Sequence, residues 1–294
     1  MIAKGQIHLA HKAFIAFLFL LGLSAAVSVG VYGYDYYTTP VKVRAFDHDH
    51  KLLKPGGKLG HGLGIAGAAM IITGIALYST RKRVRALWNL GSLSTWLEVH
   101  IFLCLLGPVF LVYHTTFKAG GIAAICLWSM LSVAASGILG RFLYVLIPRT
   151  AGGSEMNSHQ INELFDAQER TLMESEMGKE LRTLIDQSFS SMKRPETISQ
   201  TIRSFFHLQK LKRRVKSLVQ SRVSQSHLTY RTAHALVRAA SMRATLIQKS
   251  LLLLQAEKLF YYWHAIHLPF TAIMFITLAV HVGIALWLGY SWIF

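Results

Sequence analysis

Apolar residues are concentrated in five long stretches of this chain. The stretches lie at about 13–33, 61–79, 97–115, 121–147 and 265–290. About 20 apolar residues in a helix span the roughly 30 Å hydrocarbon core of a bilayer. Each stretch therefore predicts a membrane-spanning helix, because a helix satisfies its own backbone hydrogen bonds in lipid. We interpret the first stretch as a retained helix, since its apolar run continues past the small residues that end a signal peptide.

A polar region separates the fourth apolar stretch from the fifth. Residues 150–262 contain 17 Lys or Arg and 10 acidic residues, and apolar residues recur there at three- and four-residue steps. This periodicity predicts long amphipathic helices. The predicted fold is thus an all-α membrane protein with five transmembrane helices. Residues 1–149 hold the first four, 150–262 form a basic helical cytoplasmic insertion, and 263–294 form the fifth.

Basic residues beside the second apolar stretch set the predicted orientation. Arg81, Lys82, Arg83 and Arg85 follow that stretch directly, and such a cluster marks the cytoplasmic side. The basic insertion agrees with this assignment. The 34–60 loop disagrees, because it should lie outside yet contains five basic residues. On balance the charges predict the N-terminus inside and the C-terminus outside.

The composition narrows the chemistry that the chain can carry. Hydrophobic residues make up 52% of the chain and charged residues only 15%, which is typical of a membrane protein. Two cysteines, Cys104 and Cys126, lie in predicted spans without a CxxC or CxxCH motif. A disulfide framework, an iron–sulfur cluster or a c-type haem is therefore not expected in this chain. The basic run at 210–217 favours anionic headgroups or an acidic partner over nucleic acid.

Two of the apolar stretches each contain two histidines fourteen residues apart. They are His100 with His114, and His267 with His281. Fourteen residues bring both members of a pair to nearly the same helix face, about 21 Å apart along the axis. Two such helices side by side can hold two haem irons by both axial positions. The predicted topology pairs His100 with His267 at the cytoplasmic level and His114 with His281 at the outer level. Each imidazole would be neutral, with its second nitrogen hydrogen-bonded.

Two further residues complete the predicted cofactor site. Gly107 lies midway between the two histidines of the third stretch, where a small residue would admit a porphyrin edge or a neighbouring helix. Arg141 is the candidate partner of a haem propionate, with a boundary arginine reaching toward the membrane surface as the alternative. The weaker candidates are His264 as a rival of His267, His61 and Glu98 for a quinone, Lys118 for the outer haem, and His48 with His50 for a surface metal ion.

The paired histidines, with a glycine between them on one helix, resemble the ligands of di-haem b-type cytochromes. Their placement on the third and fifth spans is similar to the transmembrane domain of the ferric reductase and NADPH oxidase superfamily, and the spacing is also similar to that of cytochrome b. The resemblance implies two non-covalent b-type haems, held by the four histidines as paired above. The sequence departs from that superfamily in lacking a sixth span and a glycine-rich dinucleotide fingerprint, and in its longer insertion.

We therefore expect a subunit that carries electrons across a membrane within a larger redox complex, not a self-sufficient enzyme. The expected location is a bacterial inner membrane. Expected partners are lipid and other redox subunits, such as an iron–sulfur protein or a multihaem cytochrome, with quinone as a further candidate and no nucleic acid. Two alternatives stay open: a non-redox membrane scaffold, and a metal or proton transporter whose basic insertion binds a cytoplasmic partner.

Overall fold

The structure, a computed structural model, describes residues 2–147, 156, 158–226 and 228–290. Every regular element in these ranges is helical, which confirms the predicted all-α class for them. The α-helices are α1 (Ile2–Tyr32), α2 (Tyr34–Thr38), α3 (His50–Leu53), α4 (Lys58–Arg83), α5 (Leu93–His114), α6 (Gly121–Leu146), α7 (Ser158–Met173), α8 (Glu176–Ser190), α9 (Ile198–Ser224) and α10 (Tyr230–Trp287). The first residues of the predicted insertion, 150–155, and the C-terminal residues 291–294 lie outside the described residues.

Five helices are long and apolar enough to cross a membrane, namely α1, α4, α5, α6 and α10. Their positions agree with the five predicted stretches. The largest difference is at the fifth, where α10 is one continuous helix of 58 residues. Neither glycine nor proline occurs between 230 and 268, so nothing in the backbone chemistry ends a helix there. The last amphipathic part of the predicted insertion and the fifth span are therefore a single helix.

Glycines allow α4 and α5 to pack closely along their length. A Cβ atom added to Gly107 would lie 2.7 Å from the carbonyl oxygen of Gly67, and one added to Gly67 would lie 2.7 Å from the carbonyl oxygen of Gly107. Only residues without a Cβ permit such an approach of two backbones. At the start of α5, Ser92 caps the helix by accepting a hydrogen bond from the Thr95 N–H at 3.3 Å.

Arg44 fastens the segment between α1 and α4 to the turn between α5 and α6. Its buried guanidinium donates hydrogen bonds to three carbonyl oxygens, those of Tyr37, Thr39 and Thr116. Thr116 and its neighbour Phe117 have positive φ angles of 53° and 62°. Residues other than glycine keep such angles only where the surroundings hold them. The predicted 34–60 loop is therefore an ordered cap that includes α2 and α3.

Arg81 makes an equivalent brace at the other end of α4. Its buried Nη2 donates to the carbonyl oxygens of Trp88 at 2.7 Å and Gly91 at 2.9 Å. Gly91 has a φ of 69°, a left-handed conformation that glycine adopts without strain. The sequence uses Arg81 only as part of the basic cluster that sets the orientation, whereas in the structure its guanidinium binds the backbone of the α4–α5 connection.

The chain divides into two compact units. The first comprises Met1–Ile138 and Ala265–Phe294, and the second comprises Leu139–His264. Both boundaries fall inside helices, α6 and α10. The division follows packing, because the C-terminal turns of α6 share an apolar core with the helices that follow.

The second unit is a helical assembly with its own apolar core. Fully buried side chains at the centre of this core include Leu172, Leu181, Ile185, Val219 and Ala240. Beside them, Arg243 donates to both carboxylate oxygens of Asp186 at 2.9 Å and to Glu169 at 3.1 Å. A two-oxygen contact between arginine and a carboxylate fixes geometry as well as charge. The helical periodicity seen in the sequence of this region is thus used to bury one face of each helix.

Candidate functional site

Both histidines of α5 are oriented by carbonyl oxygens of α4. The Nδ1–H of His100 donates to the carbonyl oxygen of Gly74 at 3.1 Å, and the Nδ1–H of His114 donates to that of Gly60 at 2.8 Å. Nε2 is then the unprotonated nitrogen of each neutral ring. A histidine that binds a metal almost always donates its other nitrogen in this way. Both side chains are therefore in the tautomer and orientation that a metal ligand needs.

The two hydrogen bonds follow from one antiparallel register. Gly60 and Gly74 are fourteen residues apart, as are His100 and His114. Gly67, halfway between the two glycines, makes the close contact to Gly107, halfway between the two histidines. The glycine spacing on α4 therefore matches the histidine spacing on α5. This match was not part of the sequence prediction, because the pairing of the two helices had to be known before it had meaning.

The absence of side chains on α4 makes room for the outer imidazole. A Cβ added to Gly64 would lie 2.8–3.0 Å from three atoms of the His114 ring, closer than side chains approach one another. At the other level the His100 ring stacks on Tyr78, with centroids 5.3 Å apart and planes at 29°. The His114 ring thus packs against Gly64 of α4, and the His100 ring packs against Tyr78 of the same helix.

The predicted outer pair comes together in the structure. The ring centroids of His114 and His281 are 6.5 Å apart, with the ring planes at 76°. A nitrogen of imidazole binds a transition metal at about 2.0 Å, and the ring centre is about 1.1 Å further away, so two rings on opposite sides of one metal have centres about 6.2 Å apart. The separation of 6.5 Å is compatible in distance with a metal between the two side chains, and the 6.3 Å between the centroids of His61 and His114 is equally so.

The predicted inner pair has different neighbours. On α10, the Nδ1 of His267 is 2.6 Å from the hydroxyl oxygen of Ser136 on α6. That hydroxyl donates to the carbonyl oxygen of Val133 at 2.9 Å, so its oxygen can accept the proton of His267. The ring contact of His100 is with Tyr78, and the structure does not bring the His100 and His267 rings into contact within the described residues. Pairing at the inner level stays a prediction.

Two other histidines were rivals at the sequence level. His61, at the start of α4, has its ring centroid 6.3 Å from that of His114, with the planes at 58°. It is therefore a second histidine neighbour of His114. His264 lies in the second unit, where its Nδ1 is 3.2 Å from the carbonyl oxygen of Phe260 and its ring contacts Trp263 at 4.5 Å.

The remaining predicted site residues have structural contacts of their own. Gly107 meets Gly67 and Ile71 of α4, so of its two proposed roles the structure gives it the approach of a neighbouring helix. The guanidinium of Arg141 lies over the Tyr144 ring at 5.6 Å, within the second unit. His50 bonds to the Tyr36 hydroxyl at 3.1 Å, and the potential ligand atoms near His48 belong to Asp47 and Asp49 instead.

One ionisable contact between helices was missed from the sequence. The Nε2 of His11 on α1 is 2.9 Å from a carboxylate oxygen of Glu98 on α5, and both side chains are mostly buried. The partners are 87 residues apart, so no short-range sequence pattern predicts the contact. The sequence predicts Glu98 only as a candidate contact for a quinone.

Comparison of the chain with protein-family models, with curated proteins and with solved structures gives no match.

Proposed function

We propose that the chain is a b-type cytochrome subunit that carries electrons across a membrane, with two non-covalent haems held between α5 and α10. His114 and His281 would hold the outer haem, and His100 and His267 the inner one. The observation that carries this proposal is the outer pair: two imidazoles 6.5 Å apart on two membrane-length helices, fourteen residues from a second histidine on each.

The protein's part in this chemistry is to bind and orient. When bound, haem supplies an iron that accepts and releases one electron. The glycine carbonyls of α4 keep Nδ1 of His100 and His114 protonated, which directs Nε2 toward the cofactor. Ser136 does the same for His267. These hydrogen bonds also increase the basicity of the ligands, which is one way in which a protein adjusts the reduction potential of a haem.

The proposed inner haem is supported because the hydrogen bond from Nδ1 that orients His114 has counterparts at His100 and His267. His100 has a carbonyl acceptor fourteen residues along α4 from that of His114, and His267 has its own acceptor on α6. Gly107 would serve this site by setting the α4–α5 distance.

The same proposal includes an orientation and a setting. The N-terminus would lie inside and the C-terminus outside a bacterial inner membrane, with the helical unit between the fourth and fifth spans in the cytoplasm. An iron–sulfur protein or a multihaem cytochrome would exchange electrons with the chain, and quinone is a further candidate. The contact of His11 with Glu98 supplies a proton-binding pair at one end of α5, where a quinone site would need one.

A metal-ion transporter is the second candidate, and one observation favours it. His61 and His281 both lie near His114, with ring centroids 6.3 Å and 6.5 Å from it. Three imidazoles on three helices can bind a bare transition-metal ion, but the ring nitrogens of these three described residues are not all within 4.8 Å of one another, so a side chain would have to move to complete the site. The two candidates differ in absorbance, because only a haem protein has an intense Soret band.

The test is purification of the full chain from cells supplied with a haem precursor. We expect a Soret band and about two haems per chain, with His114→Ala and His281→Ala each losing the same single haem. Since the two ligands act as a unit, the double variant should lose no more than either single variant. His159→Ala is the matched control, because His159 is exposed and contacts only Glu163 among the described residues. Colourless wild-type protein would refute the proposal.

A further inference from the structure

The second unit contains a cleft between α9 and α10 that the proposed electron transfer does not use. Its volume is about 410 Å³. The floor is apolar and almost fully buried, and consists of Val215, Val219, Ala240 and Ala244. Small side chains one helical turn apart on α10 open the space, because a larger side chain there would reach α9.

One wall of the cleft is strongly cationic. Lys212, Arg213 and Lys216 line it together, all from the same stretch of α9. Burial lowers the pKa of Lys212, and the nearby charges of Arg213 and Lys216 lower it further. Three cations held this closely repel one another unless an anion lies between them.

Three acidic side chains of the unit are engaged in ion pairs with other arginines. Glu169 and Asp186 pair with Arg243, and Glu180 pairs with Arg222 at 2.8 Å. Within the described residues no ion pair involves the three cations of the cleft wall. The protein therefore concentrates positive charge at the cleft without supplying the countercharge itself.

A hydroxyl group in the cleft also lacks a partner. The Ser241 Oγ is buried and has no hydrogen bond in the described residues. Thr245, which also lines the cleft, donates its own proton to the Ser241 carbonyl oxygen at 2.9 Å. Ser241 lines the cleft but its Oγ is closed to solvent, so the side chain would rotate about its Cα–Cβ bond to donate to an acceptor in the cleft.

We propose that this cleft binds a phosphate group, with Lys212, Arg213 and Lys216 neutralising its charge and the Ser241 hydroxyl donating to one of its oxygens. A phosphate offers several strong acceptor oxygens and a charge near −2, which match three cations and one hydroxyl donor. The group can belong to an anionic lipid headgroup or to a free phosphate compound. The site is independent of haem binding.

The experiment measures the thermal stability and affinity of the detergent-solubilised full chain with two probes. One probe is inorganic phosphate, and the other is short-chain phosphatidylglycerol below its micelle concentration. A ligand that binds the folded state raises its melting temperature. We expect at least one probe to do so, and Lys212→Gln to weaken its binding about tenfold. Ser241→Ala should weaken binding severalfold without destabilising the free protein.

Lys210→Gln is the matched control, because it removes the same charge from the same helix at an exposed position outside the cleft. It should bind both probes as the wild type does. Tighter binding of phosphatidylglycerol than of phosphate would identify a headgroup site, and the reverse order a site for free phosphate compounds. Equal weakening by the Lys210 and Lys212 changes, or no binding of either probe, would overturn the proposal.

Discussion

Replacing Gly64 with alanine is the smallest change that should remove the outer cofactor without touching a ligand. The added Cβ would lie 2.8 Å from Nδ1 of His114 and 2.9–3.0 Å from two carbons of its ring. The Gly64 backbone is held within α4, so the imidazole is the group that must move. Its movement would separate Nδ1 from the carbonyl oxygen of Gly60, to which it is bound at 2.8 Å.

The size of the effect follows from these distances. An ordinary contact begins at 3.4 Å, so the ring must shift by about 0.6 Å, whereas ligand distances at a metal site are held to within about 0.2 Å. Loss of an outer-shell hydrogen bond at a metal ligand alone costs about 10- to 100-fold in affinity. Alanine is the better helix former by up to about 1 kcal/mol, which offsets part of the cost to folding but none of the cost to binding.

The assay is the haem content per chain of purified Gly64→Ala, with thermal unfolding measured on the same samples. We expect Gly64→Ala to bind about one haem per chain instead of two. Its melting temperature should be close to that of a wild-type chain that has lost only the proposed outer haem. Gly137→Ala is the matched control, because a Cβ there meets nothing within 4 Å. It should keep both haems and be as stable as the wild type or slightly more so.

Full haem content in the Gly64→Ala protein would show that the position of the His114 ring against α4 is not required for ligation. Equal haem loss in Gly137→Ala would show that the membrane helices respond to any added methyl group. Either result would refute the reasoning that joins glycine spacing to ligand geometry.

Three further predictions concern the supports of the fold and site. Arg81→Met should destabilise the protein by about 1–2 kcal/mol in chemical unfolding, since the α4–α5 connection loses the hydrogen bonds donated by a buried guanidinium, whereas Arg83→Met, at an exposed position, should have little effect. Ser136→Ala should shift the midpoint potential of one haem in a redox titration and leave the other unchanged; shifts in both would contradict its contact with a single ligand. Burial raises the pKa of Tyr37 to about 12 from 10.0, so the stability it contributes is present below pH 10 and is lost as pH rises through 12. In Tyr37→Phe, thermal unfolding should therefore depend less on pH in that range, and an unchanged dependence would contradict the assignment.

The sequence was sufficient for the parts of the fold that follow from local pattern. Apolar length alone located the five membrane-length helices, because lipid leaves the backbone no alternative to a helix. The end of the predicted insertion was harder to predict from the sequence. A change from amphipathic to apolar residues near 262 suggested a boundary, yet the helix continues because no helix-breaking residue occurs there.

The candidate site, like the fold, was predictable from the sequence only in part. The spacing of the histidines predicted which rings share a helix face, and the outer pair is found together. The spacing could not reveal the partners of the second nitrogens, because the carbonyl oxygens of Gly60 and Gly74 become acceptors only through the α4–α5 register. It also could not reveal that His61 lies as near to His114 as His281 does. Contacts between distant helices depend on packing, which the order of residues does not display.

The central claim is that His114 and His281 share one iron. Electron paramagnetic resonance of the oxidised full chain tests this most directly, because two imidazoles on one ferric haem give a low-spin signal. We expect two low-spin signals in the wild type, loss of one in His281→Ala, and retention of both in His61→Ala. Loss of the signal in His61→Ala but not in His281→Ala, or a wild-type protein without any haem signal, would contradict the claim.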